Sequence, residues 1–177
     1  PHAPRPMSTL AASLPASAFP AYAPPARRAV IVPPAGGTTL SAFTDTLVVK
    51  LAGADTGDAL TLAFATTPPG GGPPPHRHTR EDELFIVVDG RLEYFVEGAW
   101  VRAEPGAVVF VPRGVEHTFR NAGDTPARQW VLTTPGGFDR FFAECAGVFA
   151  AAAAAGAAPD MRRVLAAFAR QGIELTA

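Results

Sequence analysis

The chain has 177 residues, 47% of them hydrophobic, and a formal net charge of −1. That length suits one domain with appendages and buries a real core. Basic and acidic residues nearly balance, 15 against 16, so no basic footprint argues for a nucleic-acid or anionic-membrane partner; Lys50 is the sole lysine.

Residues 1–28 are rich in Ala, Pro and Ser without a clear period, and are expected to be a flexible segment. Met7 fits a natural start. A secretory reading (Arg5, the apolar Leu10–Ala18, an A-x-A site at Ala21–Ala23) is opposed by the interrupting prolines. His2 falls in this segment, away from the other histidines.

From residue 29 to 134 the pattern is all-β. Short apolar runs at Ala29–Val32, Thr46–Leu51, Ala59–Ala65, Leu84–Val88, Leu92–Val96, Trp100–Ala103, Ala107–Val111, Val115–Arg120 and Gln129–Leu132 read as strands. Turn-forming stretches such as PPAGG, AGADTGD, TPPGGGPPP and NAGDTP separate them. Many short strands at this spacing mean a sandwich or a barrel. LFIVV at 84–88 and VVFV at 108–111 are apolar on both faces, so something must cover the side turned away from the core. The candidates are the N-terminal strand, the C-terminal helices or a second subunit, and a homodimer is expected.

After Pro135 the period changes, and residues 135–177 are expected to form a helical extension. Phe138, Phe141, Phe142, Cys145 and Phe149 make one helical stripe. Pro159 and Asp160 open a second helix, with Met161, Val164, Leu165 and Phe168 as its buried face and Gly172 as its stop. Cys145 lies on the first stripe and reads as a buried, inert thiol. As the only cysteine it excludes an internal disulfide and points to a reducing compartment, the cytoplasm. No apolar run reaches the roughly 18 residues of a membrane span.

The chemistry concentrates in two segments. The first supplies Gly70, His76, His78, Glu83 and Gly90 as G-x5-H-x-H-x4-E-x6-G. The second supplies Gly106, Pro112, Gly114, His117 and Asn121 as G-x5-P-x-G-x2-H-x3-N. Three imidazoles and one carboxylate form a transition-metal ligand set, expected to hold one divalent ion of Fe, Mn, Ni, Co, Cu or Zn. An H-x-H pair on a strand aims both rings at one face. Glu83 sits an odd step from His78, so the chain must bend over Thr79–Asp82 to bring it back inside. On that bend Glu81 and Asp82 are expected to be solvated. Pro112 and Gly114 read as the turn that delivers His117 on a new strand.

These two glycine-framed segments resemble the paired signature motifs of the cupin superfamily, in the right order and with the short spacing of microbial single-domain cupins. The resemblance implies a double-stranded β-helix, or jelly roll, over roughly residues 30–140. The chain is also similar to bacterial quercetin-dioxygenase-like cupins, including the stretch TPGGFDRFFAE at 134–144. That similarity implies a small-molecule substrate, dioxygen as co-substrate, and a second role for Glu83 as the base that takes a substrate hydroxyl proton.

Phe64, Phe85, Tyr94, Phe119 and Trp130 are expected to line an apolar pocket suited to an aromatic or enolic molecule. Val87 and Val115 share that inward surface. A metal-dependent isomerase, which needs more polar walls, and a non-catalytic small-molecule-binding protein are the alternatives. No nucleophile elbow, phosphate loop or dinucleotide fingerprint is present.

Overall fold

The computed structural model describes residues 28–176. The expectations for residues 1–27 lie outside them. Among the described residues eleven strands form two antiparallel sheets. In chain order the strands are β1 (Thr38–Ala42), β2 (Asp45–Leu51), β3 (Thr61–Thr67), β4 (His76–His78), β5 (Asp82–Asp89), β6 (Leu92–Val96), β7 (Ala99–Ala103), β8 (Val108–Val111), β9 (His117–Asn121), β10 (Ala127–Thr134) and β11 (Ile173–Leu175). The helices are the one-turn α1 (Gly53–Thr56), then α2 (Phe138–Ala154) and α3 (Met161–Gln171). One sheet runs β1-β2-β3-β10-β5-β8 and the other β11-β4-β9-β6-β7. The architecture is the double-stranded β-helix expected from the motifs, with helices after it.

Strand parity decides what goes inside. Along β3, Thr61, Ala63, Ala65 and Thr67 are buried while the residues between them are half-exposed. Antiparallel register carries that face across the sheet, because paired residues point the same way. Ala63 pairs with Val131, and Val131 with Phe85. Opposite them the other sheet supplies Leu92, Tyr94 and Phe119, closing a barrel core. The run Ala29–Val32, expected as a strand, is irregular; instead Thr38–Ala42 pairs with β2 across the Phe43–Thr44 turn.

The two tail helices form as their stripes predict. Asp160 caps α3 by accepting from the Arg162 amide at 3.1 Å, and Gly172 ends it at φ +81°. The buried face of α3 is Val164, Ala167 and Phe168, whereas Met161 and Leu165 are each 48% exposed. Met161 fails because it starts the helix, beyond the reach of its neighbours, and Leu165 because it sits beside the contact line. Together the helices enclose a second core of Phe138, Phe141, Cys145, Val148, Val164, Phe168 and Ile173. Cys145 is fully buried there, and burial pushes its thiol up to about 11.

This second core closes one end of the barrel. The helices do not cover the outer face of the six-stranded sheet, where Ile86, Val88, Val108 and Phe110 stay between 38% and 61% exposed.

Candidate metal centre

His76 and His78 lie on β4 with Arg77 exposed between them, so both rings enter the barrel as the H-x-H spacing requires. His117 opens β9 directly opposite His76 in the register. Glu83 comes from the other sheet, near the start of β5, paired with Val111 on one side and Thr133 on the other. Between His78 and Glu83 the chain passes from one sheet to the other, which is the physical reason for the bend at Thr79 and Arg80.

The four side chains are at most 8% exposed, and one donor atom from each lies within 4.8 Å of all the others. The His117 Nε2 is 3.0 Å from a Glu83 oxygen and the His78 Nε2 is 3.4 Å from the same oxygen. An ion with bonds of about 2.1 Å needs donor pairs roughly 3.0–4.2 Å apart, so small side-chain adjustments complete a shell.

Hydrogen bonding prepares these donors. The Nδ1 of His76 lies 2.9 Å from the Pro74 carbonyl and that of His117 lies 3.0 Å from the Val115 carbonyl. A carbonyl only accepts, so each Nδ1 carries the proton and each Nε2 keeps its lone pair. The Nδ1 of His78 faces a Glu81 oxygen at 3.3 Å, and its Nε2 is buried without a partner. Three lone pairs thus converge beside a carboxylate, a set of acceptors that a shared cation satisfies. The residues fit a single transition-metal ion on this ground.

Electrostatics favour the ligand forms of Glu83 and His76, while the two carboxylates beside His78 favour a proton there that an ion would displace. Burial is the largest influence on Glu83 and opposes its charge, but His78, His117 and His76 together outweigh it and lower its pKa. Burial lowers His76 to about 4, with His117 adding to the effect, so this ring is neutral and ligand-ready at pH 7. For His78 burial opposes the charge, yet Glu83 and Glu81 raise its pKa.

His76 and Glu83 face a cavity of about 60 Å³. Phe85 and Phe119 line it, as expected from the sequence. Phe138 and Phe141 of α2, Phe168 of α3 and Ile173 of β11 roof it, and Phe43 and Leu47 of the β1–β2 hairpin form a side. Phe138 packs on His78 with ring centroids 5.4 Å apart. Among the described residues, Asp45 is the one charged side chain on the cavity wall besides the ligands. Burial pushes its carboxyl up to about 6, against hydrogen bonds from Thr67 and Thr44.

Tyr94 points inward but lies below the cavity, donating its hydroxyl to Gln129 and packing on Phe85 and Phe119. Burial keeps that phenol protonated, its pKa raised well above the usual range.

Two of the expected pocket residues face the other way. Phe64 and Trp130 pack edge to face on the outer side of the six-stranded sheet, with centroids 4.9 Å apart. There they line a separate groove of about 650 Å³ with Val30, Val32, Pro33 and Lys50. The reason is parity. Trp130 pairs with Ile86 and with Phe64, and Ile86 is one step from the inward Phe85.

The expectation of a solvated bend also needs correction. Asp82 is paired with Arg113 at the surface, which holds its carboxyl down at about 2, but Glu81 is 2% exposed and turned onto His78. Sequence reasoning also missed the roof and Asp45. The odd-numbered period Phe43, Asp45, Leu47, running from the turn before β2 into that strand, is the available signal for the latter.

No curated protein matches the chain. Among solved structures, a predicted oxalate decarboxylase from Thermotoga maritima superposes with a TM-score of 0.54 at 21% identity, over 60% of this chain and 99% of that one. The cupin domain of Schizosaccharomyces pombe Cnp3 superposes with a TM-score of 0.50 at 16% identity, over 58% of this chain and 72% of that one. At these identities the likeness concerns the fold. The family described as "Cupin domain" matches residues 63–133. The stretch similar to that family contains His76, His78, Glu83 and His117, the four residues that converge in the structure.

Proposed function

We propose that the protein is a mononuclear metal-dependent dioxygenase acting on a compact enolic or aromatic molecule. The observation that carries this reading is the convergence of three imidazoles and the Glu83 carboxylate, two of which, His76 and Glu83, face an aromatic-walled cavity. A four-donor protein set leaves one open position on a five-coordinate ion and two on a six-coordinate one, and only the second takes substrate and dioxygen together. When bound, a redox-active ion supplies Lewis acidity and electron transfer there. Glu83 accepts the substrate hydroxyl proton on a carboxylate oxygen, the role the quercetinase-like resemblance implies. Phe85, Phe119 and Phe138 exclude water and hold a flat apolar body.

Cavity size refines the substrate. About 60 Å³ holds a few heavy atoms, far below the roughly 300 Å³ at which small-molecule pockets begin. A three-ring flavonol enters only if α2 and α3 move. The stretch at 134–144 that is similar to quercetin-dioxygenase-like cupins supplies Phe138 and Phe141 of that roof. An isomerase of polar substrates is less well served, because Asp45 is the one charged group on the wall besides the ligands.

The same proposal includes a homodimer through the exposed Ile86, Val88, Val108 and Phe110 face, and a cytoplasmic location in keeping with the single thiol. Among the described residues no helix is long and apolar enough to cross a membrane. Oxygen uptake by metal-replete protein offered diketones, catechols and flavonols tests the activity. Uptake with the smaller enols supports it, and no uptake with any of them overturns it.

A further inference from the structure

The three imidazoles are oriented in two different ways. His76 and His117 each donate Nδ1 to a backbone carbonyl two residues earlier, so their own strands set the ring. His78 has a side-chain partner instead. One oxygen of the buried Glu81 accepts from its Nδ1 at 3.3 Å, and the other accepts from Gln171 Nε2 at 2.8 Å. Gln171 is the last residue of α3, 90 positions further along the chain.

The surrounding contacts hold that residue in place. Immediately after it, β11 pairs along the outer edge of β4, Ile173 opposite His78 and Leu175 opposite His76. Thr79 donates both its amide and its hydroxyl to the Gly172 carbonyl at 2.8 Å, and the Thr176 amide reaches the Pro75 carbonyl at 3.0 Å. Gly172 has a positive φ, and a Cβ there would come within 2.4 Å of the Thr79 hydroxyl. Only glycine allows so close an approach. The tail is thus registered on the metal-bearing strand to within one residue.

We propose that Gln171 is a positioning residue of the metal centre, acting through Glu81 to fix the ring and tautomer of His78. A buried carboxylate with one partner retains freedom to turn; with both oxygens engaged it presents a fixed acceptor to Nδ1–H and leaves Nε2 as the ligand atom. The C-terminal extension is then part of the metal site as well as its roof. The inference rests on the metal reading of the four donors.

Donor and acceptor roles give the test. His78 and Gln171 both donate, and Glu81 accepts from each. Glu81→Gln replaces the charged acceptor of His78 with a neutral amide oxygen and obliges Gln171 to turn its own amide to accept, and Gln171→Glu puts one acceptor against another. The double variant restores a complementary set, with the new amide accepting from His78 and donating to residue 171.

Affinity for Zn²⁺ and Co²⁺ is measured by chelator competition, with melting temperature and circular dichroism recorded in parallel. Wild type binds one ion; each single variant binds about 10- to 100-fold more weakly, and the double variant regains most of that loss. Gln171→Ala, which removes only the donor, shows a smaller loss in the same direction and keeps the fold under test. Arg170→Ala, removing the adjacent surface pair with Glu144, leaves affinity unchanged. If wild type binds the ion and Glu81→Gln, Gln171→Glu and Gln171→Ala all match it, the positioning role is wrong while the metal site stands. If the double variant is no better than the weaker single, the route through Glu81 is wrong. If wild type binds no ion, the metal reading fails and this inference with it.

Discussion

The two faces of the six-stranded sheet carry opposite chemistry from what their side chains suggest. The inner face mixes small and polar residues (Thr61, Ala63, Ala65, Gln129, Thr133) with large apolar ones (Leu47, Phe85, Val87, Val111, Val131). The outer face holds Leu62, Phe64, Trp130, Leu132, Ile86, Val108 and Phe110. Bulk and apolarity therefore do not identify the interior of this barrel. Parity from an anchored residue does. Glu83 is inward, so Phe85 and Val87 are inward and Leu84, Ile86 and Val88 are outward, and the register carries that assignment to Trp130 and then to Phe64. The small residues inside leave room for the cavity and the imidazoles.

The contrast is tested most severely by deleting one ring from each side. Phe85→Ala removes a side chain 2% exposed, touching Tyr94, Phe119 and His117, and is expected to cost about 3–5 kcal/mol in chemical denaturation. Trp130→Ala, on the outer face, is expected to cost clearly less and to leave metal binding unchanged. Equal losses would mean that the outer groove is as much a core as the barrel.

Chemistry gives the next largest difference. Glu83→Gln keeps size and one ligand oxygen but loses the base, so turnover falls at least about 10²-fold while metal is largely retained. Trp130→Ala leaves turnover intact. A Glu83→Gln enzyme of wild-type rate would remove this residue from proton transfer.

A smaller effect comes from Asp45. Its folded carboxyl titrates near 6 against a reference of 3.8, so the native state binds the proton more tightly than the unfolded state does. Stability therefore declines as pH rises from about 4 through 6, and is highest where Asp45 is protonated. Asp45→Asn removes that dependence and is expected to stabilise the protein at pH 8 by about 1–2 kcal/mol, allowing for partial exposure. A variant whose stability parallels wild type across that interval contradicts the buried placement.

The least effect on the fold is expected from Phe110→Asp, on a side chain 58% exposed, with stability of the monomer changed by about 0.5 kcal/mol or less. Its consequence is for assembly. Sedimentation is expected to show a wild-type dimer and a monomeric variant, and a monomeric wild type at micromolar concentration refutes the interface.

Much of the molecule was legible in the sequence because its signals are local. The H-x-H pair, the turn before His117 and the strands from Leu84 to Leu132 all follow from spacing within a few residues. The helical stripe on Phe138, Phe141 and Cys145 is equally local. What was not legible depends on pairing between distant segments. The three-residue β11 exists because β4 offers it an edge, and nothing in Ile173–Leu175 alone announces a strand. Glu81 looks like a surface residue until Gln171 arrives to satisfy it. Phe64 and Trp130 fit an apolar pocket by residue type, and only the register with Ile86 turns them outward.

The central claim is that His76, His78, Glu83 and His117 hold one ion. Elemental analysis of protein purified without a histidine tag or added metal, beside the His117→Ala variant, tests it most directly. The account predicts about one transition-metal ion per wild-type chain, and a variant that keeps its β-sheet circular dichroism but loses most of the metal. A His117→Ala protein with the full wild-type complement, or a wild type that holds no ion and takes up none when offered, would contradict it.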